Sequence, residues 1–450
     1  MSNPIQSTSI MMALKKNTWL QNGCRYLSHL SFRNHLLISA VLRLVLILYA
    51  QLHDARSLVP FTDIDYKVVT DGARLALNGD TPFARHTYRY SPFLAYMQIP
   101  NVLLHPAYGK VIYAMFDLLL GILIYGQVRL DLLLQHQKDR DECKRTEKTA
   151  LISACFWLYN PLTAVISTRG NGDSIPSFFV LLSISLLIRM EQQLPKSLII
   201  FCAGLSHGFV VHLRIYPIVF SLAYYLCLST GPFPKPFKLN TILPNKQQLW
   251  LVFGTLLGLV TFTWIFYALY GWQYIYEAYF YHLMRKDMRH NFSLYFLLQY
   301  LSNAEDIEES SLLLKCIVVV PQLLLLFYLS WTFGQHRQTL AFCVFCLAFV
   351  VVTYNSVVTS QYFIWYLTVL PLCIKNLQHL SLVRCASLLS LWLCGQVLWL
   401  LPAYLLEFKT WHTFFWIGVQ GAVFFLINGY ILVELISNYE HKSFNARSKK

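Results

Sequence analysis

Residues His35–Leu52, HLLISAVLRLVLILYAQL, form a long apolar run, and a few residues later comes Phe61–Lys67, FTDIDYK. A helix needs about 17–25 mainly apolar residues to cross a bilayer, so the first stretch reads as a membrane span. The second places two carboxylates, Asp63 and Asp65, one residue apart where the chain leaves the membrane. Such a pair can clamp a metal, take a proton, gate an ion path or merely end a helix in water. The rest of the chain has to decide.

Of the 450 residues, 56% are hydrophobic, 16% aromatic and only 13% charged, and the mean hydropathy is +0.47. Soluble proteins carry about 25% charged residues. The expected fold class is therefore an all-α polytopic membrane protein. The net charge of +14 would suggest a nucleic-acid partner in a soluble chain. Here it reads as the basic loops that orient membrane proteins, and no nucleic acid is expected as partner.

Further runs of span length lie near 110–127, 149–166, 175–189, 198–212, 216–229, 249–270, 312–331, 338–355, 362–375, 385–402 and 413–436. With 35–52 they give a bundle of about twelve transmembrane helices, several of them short. The pair around Arg214 and Pro217 is the least regular. Residues 1–34 lack an apolar core with a cleavage site and read as a cytoplasmic segment ahead of a signal-anchor. Residues 35–436 form the membrane domain and 437–450 a cytoplasmic tail.

Charge sorts the loops. Lys and Arg crowd the N-terminal segment, the loop 128–148 and the tail, which puts both termini in the cytoplasm. The opposite, lumenal face receives most acids, including Asp63, Asp65, Asp173, Glu277 and Asp287. It holds two long loops, 53–109 and 271–311. Tyr66–Asp80 spaces apolar residues at helical intervals and ends beside Gly79, so a helix is expected there. Both loops should lie along the membrane interface and cap a polar cleft.

Of the eleven cysteines, Cys155, Cys202, Cys227, Cys316, Cys373, Cys385 and Cys394 fall in apolar spans, and Cys24 and Cys143 on the reducing side. Cys343 and Cys346 form a CxxC inside LAFCVFCLAFVVV, where a four-coordinate metal would lack partners. Neither a structural disulfide nor a thiolate metal site is expected.

Four polar clusters share the lumenal face. They are Asp63 and Asp65 with the nearby Arg89; Arg169, Asn171 and Asp173 in STRGNGDS; His212, Arg214 and Tyr216; and His282, Arg285, Lys286, Asp287, Arg289 and His290 in YHLMRKDMRHNFS. Charges at span ends are costly unless paired or working, so four on one face suggest one site. Each also has a plainer reading. Asp63 and Asp65 can be a wetted terminus, Arg169 and Asp173 an ion pair holding their turn, and His212 and Arg214 side chains reaching for the interface.

A DxD that holds a metal against a nucleotide-sugar diphosphate needs a strand-rich nucleotide domain, and this sequence has none. A lipid monophosphate sugar asks for less, because an arginine fork matches phosphate oxygens without a metal. A carboxylate can then take the acceptor's proton late, as the sugar gains oxocarbenium character. A second carboxylate nearby raises the proton affinity of the first.

FTDIDYKVVTDGARLALNGDTPFARHTYRYSPFLAY resembles the first lumenal loop of the PIG-M family, the catalytic subunits of GPI mannosyltransferase I. NPLTAVISTRGNGDSI, GFVVHLRIYPI, YFYHLMRKDMRHNFSLYF, TSQYFIWYLTVLPL and GQVLWLLPAYLLEF resemble that family too, so the likeness runs from residue 61 to about 408. The resemblance implies a GT-C fold in the endoplasmic-reticulum membrane with a lumenal active site. It implies transfer of the first mannose, by inversion, from dolichyl-phosphate-mannose to glucosaminyl-(acyl)phosphatidylinositol in an α-1,4 bond. It maps the family's DxD onto Asp63 and Asp65, and a small single-pass subunit of PIG-X type accompanies the animal members.

On this reading Asp63 and Asp65 are catalytic and Arg214, Arg285, Arg289 and His290 hold the donor phosphate. Arg89, Arg169, Asn171, Asp173, His212, Tyr216 and His282 line the acceptor cleft. No cofactor is required, and a divalent metal is compatible with the pair but not implied by it. The competing functions are a twelve-span transporter, against which no repeat between the halves is visible, and another lipid-sugar mannosyltransferase with a different acceptor.

Overall fold

The computed structural model describes residues 30–135, 140–189, 195–229, 243–281, 292–297, 300–301, 310–377 and 379–440. Every regular element among them is helical. Those of eight residues or more are α1 (Phe32–Asp54), α2 (Ile64–Leu77), α3 (Tyr108–Gln135), α4 (Arg140–Leu158), α5 (Pro161–Thr168) and α6 (Ser174–Ile188). They continue with α7 (Lys196–Leu213), α8 (Lys246–Ile275), α9 (Ser310–Phe333), α10 (Leu340–Thr353), α11 (Leu382–Lys409) and α12 (Phe414–Ser437). Helices are what a chain must form in lipid, because each backbone donor and acceptor has to be satisfied within its own segment.

Six of the helices are long and apolar enough to cross a membrane, or seven if the pair α4 and α5, bent by 45°, is one span. Several expected spans are shorter or broken. The run 338–355 yields α10, of 14 residues, about 21 Å at 1.5 Å per residue against a hydrocarbon core of about 30 Å. Its residues from Leu340 through Val352 are all buried, so protein rather than lipid receives its apolar surface. The run 362–375 breaks into Ser360–Phe363, Ile364–Leu367, Leu370–Cys373 and Ile374–Asn376, with Pro371 at a helix start. The run 216–229 splits into Tyr216–Phe220 and Ser221–Leu226, with Pro217 inside its first turn. Cys343 and Cys346 both lie fully buried in α10.

α1 shows how a membrane helix inverts the soluble pattern. Its buried residues are His35, Ser39, Arg43, Ile47 and Ala50, one stripe at helical spacing, while Leu37, Val41, Leu44 and Leu48 are exposed. The polar stripe faces protein and the leucines face the surroundings.

α7 and α8 meet along a seam of glycines. A Cβ on Gly204 would lie 2.3 Å from the Leu251 carbonyl oxygen, one on Gly208 2.0 Å from that of Thr255, and one on Gly254 2.4 Å from that of Phe201. Small residues four apart on both helices let the backbones touch. α8 starts with a reciprocal cap in which Asn245 and Gln248 each accept the other's backbone N–H. The seam fixes the C-terminal end of α7, and Arg214 follows immediately.

The ends of α1, α5, α7 and α8 and the starts of α2, α3 and α6 gather at one end of the bundle. Backbone and side-chain bonds tie them there: Asp63 to Arg169, Ser91 to His212, Arg89 to Glu277. At the other end Lys375 meets Asp131, Arg189 meets Gln127 and Arg337 meets Gln247.

Candidate active site

The expected helix after the DxD is α2, and Asp63 is its N-cap: the carboxylate Oδ1 accepts the Asp65 amide at 3.1 Å. An N-cap carboxylate satisfies an orphan helix donor and sits at the positive end of the helix dipole. The segment leading into it is held from both sides. Asp54 accepts the amides of Phe61, at 2.5 Å, and Thr62, at 3.2 Å. Lys110 donates to the Thr62 hydroxyl at 2.6 Å.

The second cluster is bonded directly to the first. The Asp63 amide donates to the Arg169 carbonyl at 2.9 Å, and Arg169 Nε donates to the Phe61 carbonyl at 2.8 Å. Arg169 therefore does not pair with Asp173; it caps α5 and grips the DxD segment. Next to it Gly170 adopts a φ of +93°, and a Cβ there would lie 2.5 Å from the Tyr66 ring. Both the left-handed backbone and the ring contact demand glycine.

Asp173 is fully buried and its Oδ1 lies 2.9 Å from Arg214 Nη2. Arg214 follows α7 directly in extended backbone, and its guanidinium also lies over the Tyr90 ring, 5.1 Å from the centroid. The Tyr90 hydroxyl in turn lies beside the Asp65 carboxylate and favours its charged form. Asp63, Asp65, Asp173, Tyr90 and Arg214 thus form one interacting group.

Burial, and then the Asp63 charge, push the Asp65 carboxyl above its ordinary range, against the pull of Tyr90 and Arg214. Burial raises the Asp173 carboxyl as well, opposed first by Arg214. The carboxylates, Asp173 foremost, raise the Arg214 guanidinium further despite its burial, so Arg214 stays charged. Asp63 and Asp65 are both half-buried. Asp63 is the carboxylate of the DxD bound at one oxygen by its own helix.

The wall opposite comes from TSQYFIWYLTVLPL. Asn171 donates to Gln361 Oε1 at 2.9 Å. Tyr216 stacks on Trp365 with centroids 3.7 Å apart and planes within 2°, and Tyr362 stacks on Trp365 at 4.5 Å. Trp365 thus closes this side of the group around Asp173.

Two of the expected cleft residues serve elsewhere. His212 is 2% exposed. Its Nε2 bonds Ser91 Oγ at 2.7 Å, while Nδ1 shares the hydroxyls of Thr263, Tyr274 and Tyr279 at 3.2–3.3 Å. With both nitrogens occupied, it braces α7, α8 and the first long loop rather than meeting a substrate. Arg89 pairs with Glu277 at 2.7 Å and lies over Tyr281 at 4.1 Å, joining the two long loops just before residue 282. His282, Arg285, Arg289 and His290 lie outside the described residues.

Sequence reading missed Tyr90, Gln361, Tyr362 and Trp365 as site residues, although all lie within quoted motifs. Neutral aromatic and amide side chains give no signal in a search for charges at span ends. Among the described residues no three His, Cys, Asp or Glu side chains gather as a metal-binding set.

The helical bundle with acids, an arginine and stacked aromatics converging at one end defines a multi-span membrane protein with one charged, aromatic-lined site. The family model for the mannosyltransferase PIG-M matches residues 166–436. A GPI alpha-1,4-mannosyltransferase I catalytic subunit of Danio rerio is 39% identical over 405 residues, covering 89% of this chain and 95% of its own. GPI mannosyltransferase 1 of Dictyostelium discoideum is 36% identical over 90% of this chain and 91% of its own, and that of Saccharomyces cerevisiae 34% over 89% and 94%. The chain belongs to the PIG-M mannosyltransferase family and is a membrane glycosyltransferase.

Proposed function

We propose that the chain transfers the first mannose of the GPI anchor, in α-1,4 linkage, from dolichyl-phosphate-mannose to glucosaminyl-(acyl)phosphatidylinositol on the lumenal face of the endoplasmic-reticulum membrane. The observation that carries this reading is the convergence of Asp63, Asp65, Asp173 and Arg214 in one interacting group of a PIG-M family chain. The relatives named above, matched along nearly their whole length, support the acceptor class. By the same family reading a small single-pass subunit of PIG-X type accompanies the chain.

Asp63 takes the proton of the glucosamine 4-hydroxyl as its oxygen attacks the anomeric carbon. The new C–O bond forms opposite the departing phosphate, and dolichyl phosphate leaves with the bonding electron pair. A β-linked donor then yields an α product by inversion. The place of Asp63 at the N-terminus of α2, bound by its helix through one oxygen and partly exposed, supports its role as base, because an acceptor has to reach it. Asp65, beside Tyr90 and Arg214, is the charged neighbour that orients the acceptor or the loop. Arg214 holds the leaving phosphate, with Arg285, Arg289 and His290 adding charge from the second long loop. No metal enters this scheme, since the leaving group is a monophosphate. The gathering of basic residues at the end of the bundle away from the cleft supports the lumenal placement of the site.

The test is expression in cells lacking the first-mannose enzyme. Return of GPI-anchored proteins to the surface, with an α-1,4-linked mannose on the glucosamine, is the expected result. Return of transfer to a later GPI mannose or to an N-glycan precursor would replace this acceptor with another.

A further inference from the structure

Among the described residues, one enclosed ion pair lies outside the group around Asp63, Asp65, Asp173 and Arg214. Asp117 of α3 is fully buried and Arg43 of α1 is 1% exposed, and Arg43 Nε meets Asp117 Oδ2 at 2.9 Å. The same Oδ2 accepts the Ser167 hydroxyl at 2.6 Å, and Oδ1 accepts the Ser174 hydroxyl at 2.6 Å. Arg43 Nη1 donates to the Leu158 carbonyl at 3.0 Å and bonds Ser39 as well. The Asp117 carbonyl accepts the Trp157 indole at 2.9 Å.

A buried ion pair is a poor device for stability alone, since apolar residues of similar volume commonly do as well. What this one supplies is reach. Ser167 and Ser174 bracket the turn that carries Arg169 and Asp173. Arg169 holds the Asp63 amide through its carbonyl, and Asp173 holds Arg214. Between the serines the turn is ordered by its own bonds, from the Gly170 amide to Ser167, the Asn171 amide to Ile166 and the Asp173 amide to the Asn171 side chain. To these a single carboxylate adds a grip on both ends at once.

We propose that Asp117 is a positioning residue for mannose transfer. By accepting from Ser167 and Ser174 together it fixes the separation of the Asp63–Asp65 pair from the Asp173–Arg214 pair. The inference rests on the function proposed above.

The test uses Ser167→Ala, Ser174→Ala and the double variant, which leave the Arg43–Asp117 pair in place. Two quantities are read on full-length enzyme in detergent, each per monodisperse molecule. One is the kinetics of mannose transfer. The other is amide exchange of the peptide spanning residues 58–66, which contains the Asp63 amide. Loosening a reacting geometry by an ångström costs about a hundredfold in rate. The double variant should therefore lose about ten- to a hundredfold in kcat, with the donor KM little changed, and exchange in 58–66 should accelerate while α7 and α8 keep theirs. Ser174→Thr, which retains a hydroxyl, should recover the rate. An unchanged kcat per folded molecule, or exchange that rises uniformly through the bundle, would overturn the clamp. If the unmodified enzyme transfers no mannose, the functional reading falls, and the local exchange pattern still decides for or against the clamp.

Discussion

Arg169 holds Asp63 and its approach at two points: the Asp63 amide donates to the Arg169 carbonyl at 2.9 Å, and the Arg169 guanidinium donates to the carbonyl of Phe61 at 2.8 Å. The DxD segment is thus held by a second loop as firmly as by its own helix. Replacing Arg169 by Lys keeps the charge but removes the planar donor that reaches Phe61. Arg169→Lys should lose most transfer activity at near-normal abundance, and Arg169→Ala should lose both. Full activity in Arg169→Lys would show that the bond to Phe61 is dispensable.

The Asp173–Arg214 pair allows fold and chemistry to be separated. Removing one partner of a buried pair costs about 3–5 kcal/mol, because the other charge is left without compensation. Asp173→Asn should therefore lower both abundance and activity. The double variant Asp173→Asn with Arg214→Gln should regain abundance, as blue-native gels or detergent melting would show, yet remain inactive. Recovery of activity along with abundance would remove Arg214 from phosphate binding.

The cleft acids give a pH dependence with a defined sign. Burial and Asp63 hold the Asp65 carboxyl above its ordinary 3.8, so ionising it is harder in the folded enzyme than in the unfolded chain. The stability this group contributes is full below the ordinary value and lost as pH rises through the raised one. Where transfer needs Asp65 ionised, the acid limb of the rate should likewise lie above the ordinary carboxylate range. The neighbouring Tyr90 hydroxyl pulls the Asp65 value down. Tyr90→Phe should accordingly move the limb to higher pH, and a limb that stays put or moves lower would contradict this arrangement.

The glycine seam makes a prediction about folding alone. A Cβ on Gly208 would sit 2.0 Å from a backbone oxygen of α8, whereas one on Gly429 of α12 meets nothing within 4 Å. Gly208→Ala should force the helices apart and sharply reduce the melting temperature in detergent, as overpacking costs about 1–3 kcal/mol or more. Gly429→Ala should leave it unchanged. Equal melting of the two variants would mean that the seam opens without cost.

Much of this site was legible because lipid makes charge conspicuous. Asp63, Asp65, Asp173 and Arg214 stood out as charges at the ends of apolar runs, and the structure brings them together. Their partners were not legible. Arg169 and Asp173 are near in sequence, yet the turn at Gly170 sends one to Phe61 and leaves the other to Arg214 at the end of α7. Hydropathy also misjudged the spans. Leu340–Val352 is as apolar as any lipid-facing helix, but its surroundings are protein on all sides, and composition does not distinguish the two. Arg43 and Asp117 did leave a trace, as the one Arg inside the first apolar run and the one acid inside the second, which could have been read as a pair.

The most direct test of the account is mannose transfer from dolichyl-phosphate-mannose by purified Asp63→Asn, measured beside Asp65→Asn and with and without chelator. Asn keeps the N-cap bond to the Asp65 amide but cannot take a proton. General-base catalysis supplies about a 10²–10⁴-fold rate factor. The account predicts a loss of that size for Asp63→Asn with donor binding and protein level retained, and no effect of chelator on the unmodified enzyme. Near-normal turnover in Asp63→Asn would contradict it by removing the base, and abolition of activity by chelator would contradict it by giving the carboxylate pair to a metal.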